Sequence, residues 1–140
     1  MSQVKKVFIF WLPVVLWMGL IYGLSSFHQL QASPIGWQDF ILRKSAHFLE
    51  YTLLYFLFYR AIRNTTRLTF SQIIVLSLSL TILYSLTDEY HQTLVVGRSG
   101  RRYDVLVDSL GGVFGMCLAL TSLPRLPKKI KFWAKKLGLL

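Results

Sequence analysis

The chain has 140 residues, 54% of them hydrophobic and 15% aromatic, with sixteen Lys and Arg against six Asp and Glu for a net charge of +10. Apolarity at this level in so short a chain excludes an ordinary soluble domain and points to an integral membrane protein built as one all-α bundle. The single cysteine, Cys117, excludes a disulfide framework or a thiolate metal site. No G-x-S-x-G elbow, P-loop or glycine-rich dinucleotide fingerprint supports a serine hydrolase, a nucleotide enzyme or a nicotinamide enzyme.

Val7 to Leu24 is the first span: no charged residue stands between Lys6 and Asp39. The run is long for a signal-peptide core, contains Pro13 and lacks a small-x-small cleavage site, so it reads as a permanent span. Ser25 to Gln38 has loop composition, with Trp37 and Phe40 suited to a membrane interface. The second apolar run covers Ser45 to Ile62 and is interrupted by His47 and Glu50, with Arg60 and Arg63 able to snorkel at its far end. Leu68 to Thr87 contains no charge and gives a third span, closed by Asp88. Glu89 to Tyr103, with Gly97, Gly100 and three arginines, reads as a loop or re-entrant turn. Span four is predicted over Asp104 to Leu123, stopped by Pro124 and Pro127.

The expected fold is therefore an all-α, polytopic bundle of four transmembrane helices over residues 1–123, followed by a basic amphipathic tail over 124–140. In that tail Ile130, Trp133, Ala134 and Leu137 follow i, i+3, i+4, i+7 spacing with lysines largely elsewhere on the wheel. This pattern fits an interfacial helix on anionic lipid, in preference to a nucleic-acid or calmodulin-type partner. Eleven Lys and Arg and no acid fall at the termini and between spans two and three, which predicts cytoplasmic termini in a cell-membrane protein. All six acids then lie toward the outer face with Arg43, Lys44, Arg98, Arg101 and Arg102.

Helical spacing puts these residues on defined faces. Lys44, His47 and Glu50 or Tyr51 descend one side of span two over about 9 Å. Ser77, Thr81, Tyr84, Asp88 and His91 form a polar seam on span three, next to Glu89 and Gln92. Asp104 and Asp108 stand one turn apart on span four, and their face continues through Gly111 and Gly115, a small-xxx-small pattern that admits a neighbouring backbone. Ionisable groups at membrane depth cost several kcal/mol unless paired or hydrated, which makes the cluster a functional-site hypothesis.

Three readings fit these residues. Carboxylates and cations pair simply to hold helices together. Alternatively, a divalent metal is held by His47, Glu50, Asp88 or Glu89, and His91, an arrangement like the Glu-x-x-His of helical di-metal bundles in reversed order. In the third reading, His47 or His91 performs metal-free acid–base chemistry, oriented by Glu50, Asp88 or Glu89, while Lys44 and Arg98 hold an anionic group such as a lipid phosphate.

Lys44-Ser-Ala-His47-Phe-Leu-Glu50-Tyr51, Asp88-Glu89-Tyr-His91-Gln92, Gly97-Arg98-Ser-Gly100 and Asp104-Val-Leu-Val-Asp108-Ser-Leu-Gly111-Gly-Val-Phe-Gly115, taken in this order, resemble the VanZ-like family of small bacterial membrane proteins. The chain has Val96 where many members have proline, and Asp108 where many have asparagine, which leaves Asp108 either a ligand or helix glue. The resemblance implies a polytopic cell-membrane protein whose namesake is associated with resistance to the glycopeptide teicoplanin. Two classes of function fit an outward-facing cluster. One is a hydrolase or transferase acting on a lipid-linked or phosphate-bearing envelope component, with His47, Glu50, Asp88, Glu89, His91 and Asp104 catalytic and Lys44, Tyr51, Gln92, Arg98 and Asp108 binding substrate. The other is a non-catalytic factor that binds lipid or lipoglycopeptide and limits drug access. Transport would require an oligomer, because the chain contains no internal repeat.

Overall fold

A computed structural model describes residues 2–26, 35–95 and 102–140. Among them are five α-helices and no strand: α1 (Gln3–Ser26), α2 (Gly36–Thr65), α3 (Phe70–Leu94), α4 (Arg102–Thr121) and α5 (Lys128–Lys136), with a 3₁₀ turn at Leu123–Arg125. Three stretches are long and apolar enough to cross a membrane, Gln3–Ser26, Phe70–Leu94 and Tyr103–Arg125. α2 is not among them. It carries Asp39, Arg43, Lys44, His47, Glu50 and Arg60, and it packs against α1, α3 and α4.

The long helices run alternately up and down. Near one end the Gln3 side-chain amide donates to the Thr65 carbonyl at 3.1 Å, and farther along the Trp17 indole donates to the Glu50 carbonyl at 3.0 Å, so α1 and α2 are antiparallel. Tyr84 donates to the Met18 carbonyl at 2.5 Å and Gln92 reaches Ser25, so α1 and α3 run the same way. α2 and α4 share the opposite direction, with Lys44 beside Asp104 and Thr52 beside Gly111. The turn into α3 is fixed by a reciprocal cap: Thr69 Oγ1 accepts from the Gln72 backbone N–H, and the Gln72 side chain accepts from the Thr69 N–H.

The core forms on α2, whose Tyr51, Leu54, Tyr55, Phe58, Tyr59, Ala61 and Ile62 are all buried. Steps of three and four turn these residues to the inner side of the helix. α4 comes close enough that a side chain on Gly111 would overlap the Phe48 carbonyl oxygen, and a Cβ on Gly115 would lie 2.9 Å from the Tyr55 ring. The Gly111/Gly115 face expected from spacing is thus the face α4 presents to α2.

Two expected boundaries need correction. α2 begins at Gly36, not near Ser45, because its polar first turns are held as helix by an Asp39–Arg43 ion pair at 2.7 Å across one turn. Asp88 does not close the third helix, which continues to Leu94. Its carboxylate is buried and bonded to Gln92 one turn on, so the charge is accommodated within the helix rather than at its end. Glu89 to Leu94 therefore belongs to α3 and not to a loop. The rest of the expected re-entrant segment, residues 96–101, lies outside the described residues.

Replacing Gly111 with Ala should destabilise the bundle by about 1–3 kcal/mol, the usual range for overpacking. Gly23→Ala should be nearly neutral, since nothing lies within 4 Å of a Cβ there. Thermal unfolding and monodisperse yield in detergent measure both; equal behaviour of the two variants would contradict the close α2–α4 crossing.

Candidate functional site

The polar residues of the four long helices meet at the end where α1 and α3 finish and α2 and α4 begin. Asp88, 2% exposed, is the most connected of them. Its Oδ2 accepts from the Gln92 amide at 2.9 Å and from the Tyr51 hydroxyl at 3.4 Å, and the same Gln92 nitrogen lies 3.4 Å from Ser25 Oγ. Side chains from α1, α2 and α3 are thus joined through one carboxylate. Hydrogen bonds to a charged group contribute about 1.5–3 kcal/mol each, which helps offset burying it.

α4 joins α2 through one ion pair and one imidazole–carboxylate contact. His47 Nδ1 lies 3.2 Å from Asp108 Oδ1, and one turn earlier Lys44 Nζ pairs with Asp104 Oδ1. Asp108 is 1% exposed, whereas the His47 side chain retains 17%. Because a carboxylate only accepts, the neutral His47 ring carries its proton on Nδ1 and presents an unprotonated Nε2. Glu50 and Asp88 also act electrostatically on this ring. The second oxygens, Asp88 Oδ1 and Asp108 Oδ2, are buried without a hydrogen-bond partner among the described residues.

The predicted site residues fall into groups. His47, Asp88, Asp104 and Asp108, with Lys44 and Tyr51, belong to the joined cluster. His91 stands apart on the α1–α3 seam, its ring tilted against Tyr22 with centroids 4.1 Å apart. Glu89 is buried on α3, next to Asp88 in sequence, and Glu50 is half-buried on α2. Gln92 and Tyr51, expected to bind substrate, are 3% and 0% exposed and point their donors at Asp88, so they brace that carboxylate from beneath. Arg98 lies outside the described residues. Among the described residues no three His, Cys, Asp or Glu side chains are grouped so that they could hold a metal ion.

Ser25 and Trp17 were not foreseen. Val14, Ile21 and Ser25 are the buried positions of α1, spaced by seven and four, and that spacing was the available signal that Ser25 faces inward. Thr52, also unforeseen, places its hydroxyl 2.7 Å from the Phe48 carbonyl and 2.9 Å from the Gly111 carbonyl, at the α2–α4 crossing.

Lys44→Met and Asp104→Leu should each lower stability by about 1–3 kcal/mol, because each leaves a lone charge in a partly closed site. The double variant should lose clearly less than the sum. Thermal unfolding across the four proteins measures the coupling; strict additivity would mean that the pair contributes nothing.

Comparisons with curated proteins and with solved structures returned no match. The family described as VanZ/LLP1 matches residues 2–123, which takes in all four long helices and every residue of the cluster. On the extent of that match, the chain belongs to the VanZ/LLP1 family.

Proposed function

We propose that the chain crosses the cell membrane four times with cytoplasmic termini, and that the His47–Asp108 pair performs acid–base chemistry on an anionic, lipid-linked envelope component at the outer leaflet. The observation that carries this reading is the 3.2 Å contact from His47 Nδ1 to a buried carboxylate, which leaves Nε2 of a partly exposed ring as the free base.

Support for four crossings comes from the exposed aromatics. At the end bearing the site, Tyr22, Trp37, Tyr90 and Tyr103 are all more than half exposed, one on each of α1 to α4. Such a ring is the arrangement that interfacial aromatics adopt. On α3, Phe70 lies toward the opposite end, and the twenty residues from there to Tyr90 span about 30 Å, the thickness of a hydrocarbon core. α2 can be more polar than its neighbours because it sits among them and turns Lys44 and His47 toward acids of α4.

In this reading His47 Nε2 takes a proton from the attacking hydroxyl, that of water in a hydrolase or of an acceptor in a transferase; the hydroxyl oxygen bonds to the phosphoryl or acyl centre, the ester bond to the leaving oxygen breaks, and the imidazolium returns the proton to that oxygen. Asp108 holds the ring and stabilises the imidazolium. The substrate anion competes with Asp104 for the Lys44 ammonium, and Arg98 supplies a second cation. Glycopeptide resistance would follow if the altered component is one that the drug meets at the outer leaflet.

The non-catalytic alternative is a factor that binds lipid or lipoglycopeptide and limits drug access. It is favoured by one observation: Lys44 is already engaged by Asp104, and Gln92 by Asp88.

Purified protein incubated with labelled membrane lipids and wall precursors, with and without chelator, should release product. His47→Ala and Asp108→Leu should reduce turnover about 10²–10⁴-fold per molecule of folded, monodisperse protein, beyond any fall in yield. Binding of lipid or glycopeptide without any product would establish the alternative. For topology, an impermeant thiol probe on cells should label Ser99→Cys but not Arg67→Cys in a Cys117→Ala background. The reverse pattern would overturn the orientation.

A further inference from the structure

α5 is held against the bundle by one end only. Its C-terminus closes in a Schellman turn, with Leu139 N–H donating to the Ala134 carbonyl and Gly138 N–H to the Lys135 carbonyl, both at 2.9 Å. Gly138 sits at φ 75°, where a Cβ would lie 2.9 Å from Asn64 Nδ2 and 3.0 Å from the Phe10 ring. The turn is gripped from α2: Arg60 Nε donates to the Leu137 carbonyl at 2.5 Å, and Asn64 Nδ2 donates to the Gly138 carbonyl at 2.8 Å. Leu139 and Leu140 pack against the core beyond it.

The rest of α5 faces away from the protein. Of its apolar stripe only Ala134 is buried, whereas Ile130, Trp133 and Leu137 remain 52%, 57% and 54% exposed. At 100° per residue these three lie within about 60° of one another; Lys128, Lys131 and Lys135 lie on the far arc with Phe132, and Lys129 and Lys136 flank the stripe on the side of Trp133. The segment from Pro124 to Leu140 contains no acid. A soluble protein partner made of ordinary mixed surface would leave most of these charges unmatched.

Two further observations identify what covers the stripe. The span-capable stretch of α4 ends at Arg125, three residues before α5 starts, so α5 begins at the depth where a bilayer would end. At the same end of the bundle Val4 and Phe8 of α1 are 79% and 65% exposed, so apolar surface at this level is not confined to the tail. We infer that α5 is a binding surface for anionic phospholipid, with Ile130, Trp133 and Leu137 embedded at the acyl boundary and the lysines at the headgroup phosphates. The inference rests on the four-crossing reading above. Each lysine near a negatively charged leaflet contributes on its own, so the preference for anionic over zwitterionic lipid accumulates across the five.

The test uses the full chain in nanodiscs containing brominated phosphatidylglycerol or brominated phosphatidylcholine. The Trp133 signal is the difference between the parent protein and Trp133→Phe, and the Trp37 signal is obtained the same way as a control for insertion at the opposite end. Trp133 should be quenched about threefold more by the brominated anionic lipid, and Lys128→Gln/Lys129→Gln/Lys135→Gln/Lys136→Gln should remove that excess. Equal quenching by the two lipids, or a Trp133 shielded from both brominated lipids and from aqueous acrylamide, would overturn the inference; the shielded outcome would mean that a protein surface or a second copy covers the stripe. If Trp37 also escapes both lipids, the four-crossing reading fails first. A quenched Trp37 with an indifferent Trp133 refutes the lipid surface alone.

Discussion

Gly111 has no side chain, and the Phe48 carbonyl oxygen lies where one would begin. That approach of one backbone to another is what the rest of the site depends on. With α4 pressed to α2 at this level, the next turns toward the site bring Asp108 to His47 and Asp104 to Lys44 without adjustment of either helix. A larger residue would push α4 outward by an ångström or more, enough to replace a 3.2 Å contact with none. Thr52 reinforces the same crossing by placing one hydroxyl between carbonyls of both helices.

The second element of the arrangement is the division of labour between the two carboxylate centres. Asp88 is surrounded by neutral donors, Tyr51 and Gln92, which satisfy one oxygen in a closed setting. Asp108 meets an imidazole that retains contact with the outside. One centre ties three helices together, and the other joins α2 to α4. Tyr51 lies between them, its ring stacked near His47 at 6.5 Å and its hydroxyl on Asp88, so a movement of either centre is felt at the other.

Much of this fold was legible where hydropathy alone decides. Leu68 to Thr87 lacks charge entirely, and the third helix was found there. Its end was misplaced because a carboxylate at membrane depth reads as a boundary, and nothing local in Asp88 reveals the Tyr51 hydroxyl 37 residues away in sequence. The start of α2 was hidden for the opposite reason, since Gln38, Asp39 and Arg43 have loop composition until the ion pair across one turn is seen. Within the site, the helix faces could be derived from spacing, and Gly111 and Gly115 correctly marked the close crossing. Which carboxylate meets His47 could not be derived. Glu50, Asp88 and Glu89 were the expected partners and Asp108 was not among them; the 3.2 Å contact with Asp108 depends on how α4 is rotated about its axis when it packs.

The polarity of α2 also bears on how the bundle is assembled. On the four-crossing reading, α2 leaves the ribosome with His47 and Glu50 already in its middle, and α1 meets it through Gln3, Trp11 and Trp17, which carry no charge. The partner of His47 arrives 61 residues later. Until then α2 carries more charge than lipid tolerates, so it must wait beside water or inside the insertion machinery, held next to α1 and α3. On that reading α4 is the helix that allows the others into the bilayer, and a chain cut before it would lose more than a quarter of the bundle: it would lose Asp104 and Asp108, the acids that face Lys44 and His47.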